Sequence, residues 1–195
     1  NNLKPDHLPT IKSKVRLLIK MDMKKKCLEF LEKAILYHPK DPELYHQKAN
    51  VLSSLGKNSQ SINTYKTLLM IDPEYPYVLG NVVEDKLLNC DWNGLERNLF
   101  DLKDKINENK EIASPFLVST LFDSAEINFK ASKIWIQQYG GTSNQFETKT
   151  LEKKTKINIG YFSADFRDHP VGHLIVKMLE THDKSKYETY GFYLG

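Results

Sequence analysis

The sequence predicts an α + α/β chain, a solenoid of paired helices followed by the first strand-helix-strand unit of a nucleotide-binding type of sheet. Three observations predict it. His38-Pro39 and Asp72-Pro73 stand 34 residues apart and each follows an amphipathic stretch, the mark of a helical repeat. Near Lys156 the apolar period changes from helical to alternating: Ile157, Ile159 and Tyr161 interleave with Asn158 and Gly160. Beyond a small polar turn at Ser163-Ala164-Asp165, Pro170 suits a first helical position. After it, Val171, Leu174, Ile175, Met178 and Leu179 form one apolar stripe. Tyr190, Phe192 and Leu194 then alternate again, and such a crossover is expected to be parallel and right-handed.

Taken in order, the first block runs from Leu8 to Asp41, with Ile11, Val15, Leu18, Cys27-Leu28, Leu31, Ala34-Ile35 and Pro39. The block from Pro42 to Tyr75 repeats these offsets with Tyr45, Ala49, Leu52, Leu55-Gly56, Ser61-Ile62, Tyr65, Leu68-Leu69 and Asp72-Pro73. This pattern resembles the tetratricopeptide repeat. A third block opens near Pro76 with Leu79, Val82-Val83, Leu87, Trp92 and Leu95. It lacks the closing proline and reads as a degenerate last unit, so residues 1–109 form the repeat region. Helix pairs of this kind bury their apolar faces only against neighbours, and stacking them creates a concave surface. Gln47 and Asn81 share one position on the inner helices, where amides suit an extended peptide backbone; a solvated helix face is the alternative. Ser13 holds that position in the first block.

Residues 110–155 form a connector. Ser114-Pro115 is a cap and a first-turn proline, with Phe116, Leu117, Thr120 and Leu121 as a short apolar face. Asp123-Ser124 restarts a helix carrying Ile127, Ala131, Ile134 and Trp135, which Gly140-Gly141 ends. Residues 142–154 are polar apart from Phe146 and Leu151 and read as a linker, which puts a domain boundary near residue 150. Residues 156–195 then open an α/β lobe that this chain does not complete, so a fragment of a longer protein is expected.

Composition narrows the function classes. The chain is 40% apolar and 27% charged, with a net charge of +3, as expected of a soluble, cytoplasmic globular protein. No apolar run approaches the roughly 18 residues of a membrane span. Arg16, Arg97 and Arg167 are the only arginines, and Lys24-Lys25-Lys26 has no interleaved aromatics, so neither nucleic acid nor membrane is an expected partner. Cys27 and Cys90 match no metal or redox spacing and are read as buried free thiols of a reducing compartment.

The polar loop after the first strand, at the sheet edge where open α/β folds place their chemistry, holds Asp165, Arg167, Asp168 and His169. Imidazole, whose unperturbed pKa is about 6.5, is a side chain suited to general-base work. It equally suits a cap on the helix beginning at Pro170, or a group that orients phosphates. His173, four residues on, offers zinc-like spacing only on a continuous helix, and Pro170 makes His169 a cap; no third ligand is in sight and no metal is expected. For His173 the plain reading is a solvated first-turn side chain. Asp165, Arg167 and Asp168 fix the loop through ion pairs and capping, with Arg167 alternatively meeting a phosphate. No Gly-x-Gly-x-x-Gly run is present.

Cys90-Asp91-Trp92, Ser114-Pro115-Phe116, and Gly160-Tyr161-Phe162-Ser163-Ala164-Asp165-Phe166 running into His169-Pro170 and His173-Leu174 together resemble the O-linked N-acetylglucosamine transferase family. The resemblance implies a GT-B catalytic region of two Rossmann-like lobes behind the repeats, with this chain covering the last repeats, the connector and the start of the first lobe. It implies an inverting transfer of N-acetylglucosamine from UDP-GlcNAc to protein Ser or Thr hydroxyls. His169 would be catalytic, as the base, and Asp165, Arg167 and His173 would serve substrate binding. A protein or peptide acceptor would lie along the groove of Gln47 and Asn81. The nucleotide sugar is a co-substrate; no cofactor or metal is implied. Donor contacts would lie beyond residue 195, which leaves the fragment inactive alone. Other nucleotide sugars (GDP-fucose, UDP-glucose), a non-protein acceptor, or a peptide-binding scaffold without activity are the alternatives.

Overall fold

A computed structural model describes residues 7–140 and 155–194. The chain forms two compact units, 1–143 and 144–195. The linker expected at 142–154, with Phe146 and Leu151, lies outside the described residues.

In the first unit, α1 (Leu8–Lys20) and α2 (Lys24–Tyr37) form one antiparallel pair. The next two pairs are α3 (Pro42–Ser54) with α4 (Asn58–Ile71), and α5 (Val78–Leu88) with α6 (Leu95–Asn107). Local chemistry sets the helix starts. Asp41 accepts from the Leu44 N–H at 3.1 Å with Pro42 behind it, and Ser114 and Ser124 cap α7 (Pro115–Leu121) and α8 (Ala125–Tyr139) in the same way.

The repeat is written into the backbone. Asp22, Gly56 and Cys90, 34 residues apart, all take positive φ (54°, 71° and 51°) where the first helix of each pair hands over to the second. A second period sits in the core: Cys27 and Ser61 are both fully buried, and their Sγ and Oγ point at the carbonyls of the equivalent residues Val15 and Ala49 at 4.0 and 2.9 Å. Cys27 therefore fills the small core slot as expected. Cys90 does not: its thiol is exposed, because its place in the period is the left-handed turn and not the helix interface. Trp92, two residues on, is 65% exposed and is not a core residue of the third unit.

Three apolar clusters follow the stacking. One joins Val15, Cys27 and Leu31 to Leu44 and Val51, and another joins Ala49, Tyr65 and Leu68 to Val78 and Val82. In the third, Val83, Leu102 and Ile106 share a core with Leu117, Val118, Ile127, Ala131 and Ile134, so α7 and α8 cap the last helix pair. Each Val, Leu or Ile among them stabilises by roughly 1.5–3 kcal/mol when fully buried. Phe116, expected on the inner face of α7, is 78% exposed, and Val118 takes the buried place instead.

The second unit is β1 (Ile157–Ser163), α9 (Pro170–Glu180) and β2 (Tyr187–Tyr193). The strands pair in parallel, Ile157 opposite Tyr187 through Ser163 opposite Tyr193. None of its described residues is buried. Of the stripe expected over Val171, Leu174, Ile175, Met178 and Leu179, Ile175 and Leu179 face the strands and Leu174 does not, being 81% exposed. Gly172, Ile175, Val176 and Leu179 face Thr189, Tyr190 and Gly191 across a cleft of about 600 Å³.

Candidate functional site

Two places bring the sequence's candidate residues together. The first is the turn from β1 into α9. The Ser163 hydroxyl accepts from the Asp165 N–H at 3.0 Å, which closes the polar turn at the end of the strand. His169 is extended and caps α9: its Nδ1 accepts from the Val171 N–H at 3.2 Å. An Nδ1 that accepts places the neutral ring's proton on Nε2. Asp165 lies beside it, with Oδ2 3.8 Å from the same Nδ1 and Oδ1 3.7 Å from an Arg167 amine. The His173 Nε2 meets Asp168 Oδ1 at 2.8 Å on the outer side of the turn.

The turn is held tight by a glycine. A β-carbon on Gly172 would sit 2.5 Å from the Arg167 carbonyl oxygen and 2.9 Å from that of Asp165. Gly172 is therefore part of the site's construction, although no glycine-rich motif marks it in the sequence. Arg167, Asp168 and His173 border the cleft under α9, and Asp165 and His169 stand outside it. Among the described residues no group of three His, Cys, Asp or Glu side chains is gathered to hold a metal.

The second place is the inner face of the repeats. Gln47 lines a recess with Asn50 on α3, and Asn81 on α5 lines two further recesses that Asn50 also borders. Asn50, absent from the sequence reading, is thus the residue common to all three. The Asn81 amide donates to the Tyr65 hydroxyl at 3.2 Å, and that hydroxyl donates in turn to Asn50 Oδ1. Burial drives the Tyr65 hydroxyl strongly towards its protonated form, assisted by the nearby Asp85 charge. Asp85 is itself buried; its Oδ1 accepts from Ser53 at 2.6 Å, and Oδ2 has no hydrogen-bond partner among the described residues. Part of Asn81's donor capacity is therefore spent inside the protein.

Around Asn50 and Asn81 stand four rings, His46, Tyr75, Tyr77 and Trp135, which sequence inspection did not bring together; it noted Trp135 only as an apolar position of its helix. His46 lies 5.1 Å from Tyr75, centroid to centroid, and Tyr77 meets Trp135 edge-on at 5.3 Å and 76°. The signal for them is the short run Tyr75-Pro76-Tyr77, which in sequence reads as a turn.

Comparison with known proteins agrees with this layout. Residues 129–195 match the family model of Glycosyl transferase family 41, and residues 42–75 match a tetratricopeptide repeat. No curated protein matches the chain in sequence. Among solved structures, a mutant of the Thermobaculum terrenum O-GlcNAc transferase is similar at TM-score 0.56 and 17% identity, over 95% of this chain and 36% of that one. The Yersinia enterocolitica type III secretion translocator chaperone SycD is similar at TM-score 0.51 and 14% identity, over 71% of this chain and 99% of its own. At such identities these likenesses speak for the fold alone. The family match lies over the strand-loop-helix that carries His169, and the chain fits a repeat-bearing fragment of the O-linked N-acetylglucosamine transferase type that its sequence resembles.

Proposed function

We propose that the protein to which this chain belongs is an inverting, metal-independent glycosyltransferase that moves N-acetylglucosamine from UDP-GlcNAc to Ser or Thr hydroxyls of a protein segment held along the repeats. The match of residues 129–195 to Glycosyl transferase family 41 carries the reading. The resemblance of the Gly160–Leu174 stretch to the O-linked N-acetylglucosamine transferase family supports the choice of donor. Two unbridged cysteines, Cys27 and Cys90, fit a reducing compartment, and the cytoplasm is the proposed place of work.

In this mechanism the acceptor oxygen attacks the sugar's anomeric carbon from the face opposite the diphosphate. The new C–O bond forms as the bond to phosphate breaks, UDP leaves, and the hydroxyl proton passes to His169. The base must present an open Nε2, whereas the helix-capping pose keeps the proton there. Asp165 supplies the way out: with Nδ1–H turned to its Oδ2, now 3.8 Å away, the imidazole exchanges tautomer and frees Nε2. Arg167 and His173, at the cleft edge, serve substrate binding. No residue of the 195 is assigned to hold the base of the nucleotide, and the chain by itself is expected to be inactive.

A second reading has the SycD-like fold in its favour: a peptide-binding repeat scaffold without transfer activity. The test offers protein and peptide acceptors to the full-length protein with UDP-N-acetylglucosamine, UDP-glucose and GDP-fucose separately, and reads acceptor mass. A gain from UDP-N-acetylglucosamine that His169→Ala abolishes in a folded protein is the expected result. A gain from another donor reassigns the sugar, and no gain from any donor, with peptide binding intact, leaves the scaffold.

A further inference from the structure

On the inner face of the repeats, between α3 and α5, Asn50, Ser53, Ser54, Asn81, Glu84 and Asp85 line a recess of about 210 Å³. Its hydrogen bonding is one-sided. The Ser53 hydroxyl donates to Asp85 Oδ1 at 2.6 Å and the Ser54 hydroxyl to the Val51 carbonyl at 2.8 Å. The Tyr65 hydroxyl, which also borders the recess, donates to Asn50 Oδ1. A hydroxyl has one proton to give, and each of these gives it to the chain, so what remains for a ligand is lone pairs. The carboxylates of Glu84 and Asp85 add further acceptors and negative charge. No Lys, Arg or His is among the described residues that line the recess.

Asp85 distinguishes this place from an ordinary acidic surface. It is 2% exposed, and while Oδ1 is bonded to Ser53, Oδ2 accepts no hydrogen bond from any described residue. A buried carboxylate oxygen without a donor is costly, and its charge is poorly screened. The next residue does not relieve it: the Lys86 ammonium is spent on Asp91 Oδ2 at 3.0 Å and on the Asn93 carbonyl. Glu84, on the exposed side of the helix, adds its charge to the same recess.

A negative recess, rich in acceptors, poor in donors and smaller than the usual small-molecule pocket, fits the end of one cationic side chain. An ammonium or a guanidinium brings several N–H donors and meets carboxylate and hydroxyl oxygens at once. A carboxylate or phosphate would be repelled, and an apolar side chain would leave Oδ2 without a donor. Asn50 is common to this recess and to those of Gln47 and Asn81, so the place lies on the groove itself. We propose that the recess is a subsite of the repeat groove in which Asp85 and Glu84 take up one Lys or Arg side chain of the bound protein segment. It rests on the peptide-binding part of the proposed function and adds to it the charge of a residue that the groove selects.

The test titrates the 195-residue chain, isotope-labelled for amide NMR, with an end-blocked Gly-Ser-Ala-Lys-Ala-Ser-Gly peptide at constant ionic strength. Copies carry arginine, norleucine or glutamate at the central position; norleucine keeps the apolar stem of lysine and loses only the ammonium. The side-chain amides of Asn50 and Asn81 are the reporters. The expected result is a saturable shift of both with the lysine or the arginine peptide, the tighter of the two naming the side chain. Binding is expected to be weaker by at least about tenfold for the norleucine and glutamate copies. Asp85→Asn, which keeps an oxygen for Ser53, is expected to weaken the lysine peptide by a similar factor, and the exposed Glu84→Gln by about threefold. If Asp85→Asn does not fold by circular dichroism, the peptide copies and Glu84→Gln decide. Equal binding of the norleucine copy, tighter binding of the glutamate copy, the same amide shifts from magnesium chloride alone, or no shift with any peptide overturns the assignment. An equal norleucine copy removes the cation subsite but leaves peptide binding in the groove, and acceptor mass in the transfer assay tests the transferase reading apart from both.

Discussion

Gly172 stands so close to Arg167 that a β-carbon on it would lie 2.5 Å from the Arg167 carbonyl oxygen. The obstacle is backbone, which cannot swing away as a long side chain can. Gly172→Ala must therefore push the 165–167 turn outward by roughly an ångström. Displacement on that scale at a reacting centre costs about a hundredfold in rate. The transferase rate of the full-length Gly172→Ala protein is expected to fall by that order while its helix content stays at the wild-type level by circular dichroism. Unchanged turnover would remove the turn from the site.

Asp165 is the partner that lets His169 exchange tautomer in the proposed mechanism. Asp165→Asn keeps the shape and removes the charge. Its expected signature is a fall in kcat of about ten- to a hundredfold with KM little altered, since a general base contributes about 10²–10⁴-fold and a positioning residue carries part of that. A rise in KM with kcat intact would instead make Asp165 a substrate contact.

A tight approach also holds the first unit together. The Gly80 N–H donates to the Ile112 carbonyl at 3.0 Å, and a β-carbon at Gly80 would lie 2.8 Å from the Ala113 Cα. Gly80→Ala would gain helix propensity but force α5 away from the segment that leads to α7. The net effect expected in urea unfolding is a loss of about 1–3 kcal/mol, the usual cost of overpacking. A gain in stability would mean that segment yields freely.

Two pH windows are expected in the melting temperature of the chain. Burial lowers the folded-state pKa of His46, so as pH falls below about 6.5 the unfolded chain takes up a proton that the folded chain refuses. Stability falls through that window and levels off below the folded pKa. His46→Gln should flatten it. Glu43 behaves differently: a hydrogen bond from Lys12, which outweighs the opposing desolvation by burial, holds its carboxyl below the usual range. Its contribution is full above about 4.5 and is lost as pH falls through the depressed folded value. Glu43→Gln should flatten that lower window and, by removing the charge that partly opposes the fall of the His46 pKa, widen the upper one.

What the sequence by itself determined is whatever short-range periodicity encodes. The 34-residue spacing of Pro39 and Pro73, the caps at Asp41, Ser114 and Ser124, and the change to alternation at Ile157 each act over a few residues. All of them appear in the structure as helix pairs, helix starts and a parallel strand. The turn at Ser163 to Asp165 and the capping place of His169 were legible for the same reason, since Pro170 admits a helix start there and nowhere later. The relation of Gln47 to Asn81 followed from the repeat.

Tertiary structure decided the rest, because it depends on which residues of different elements approach one another. Cys90 reads as a core thiol by type, yet the three-fold recurrence of a left-handed turn at Asp22, Gly56 and Cys90 places it outside. Period alone marked a stripe over Val171, Leu174, Ile175, Met178 and Leu179 on α9; in the fold Ile175 and Leu179 line the cleft beside β2 and Leu174 is left exposed. The aromatic recess draws Trp135 from α8, His46 from α3 and Tyr77 from a strained backbone before α5, three places with no common period. Local sequence specifies elements, but a pocket is made by side chains far apart in the chain whose meeting depends on how those elements pack.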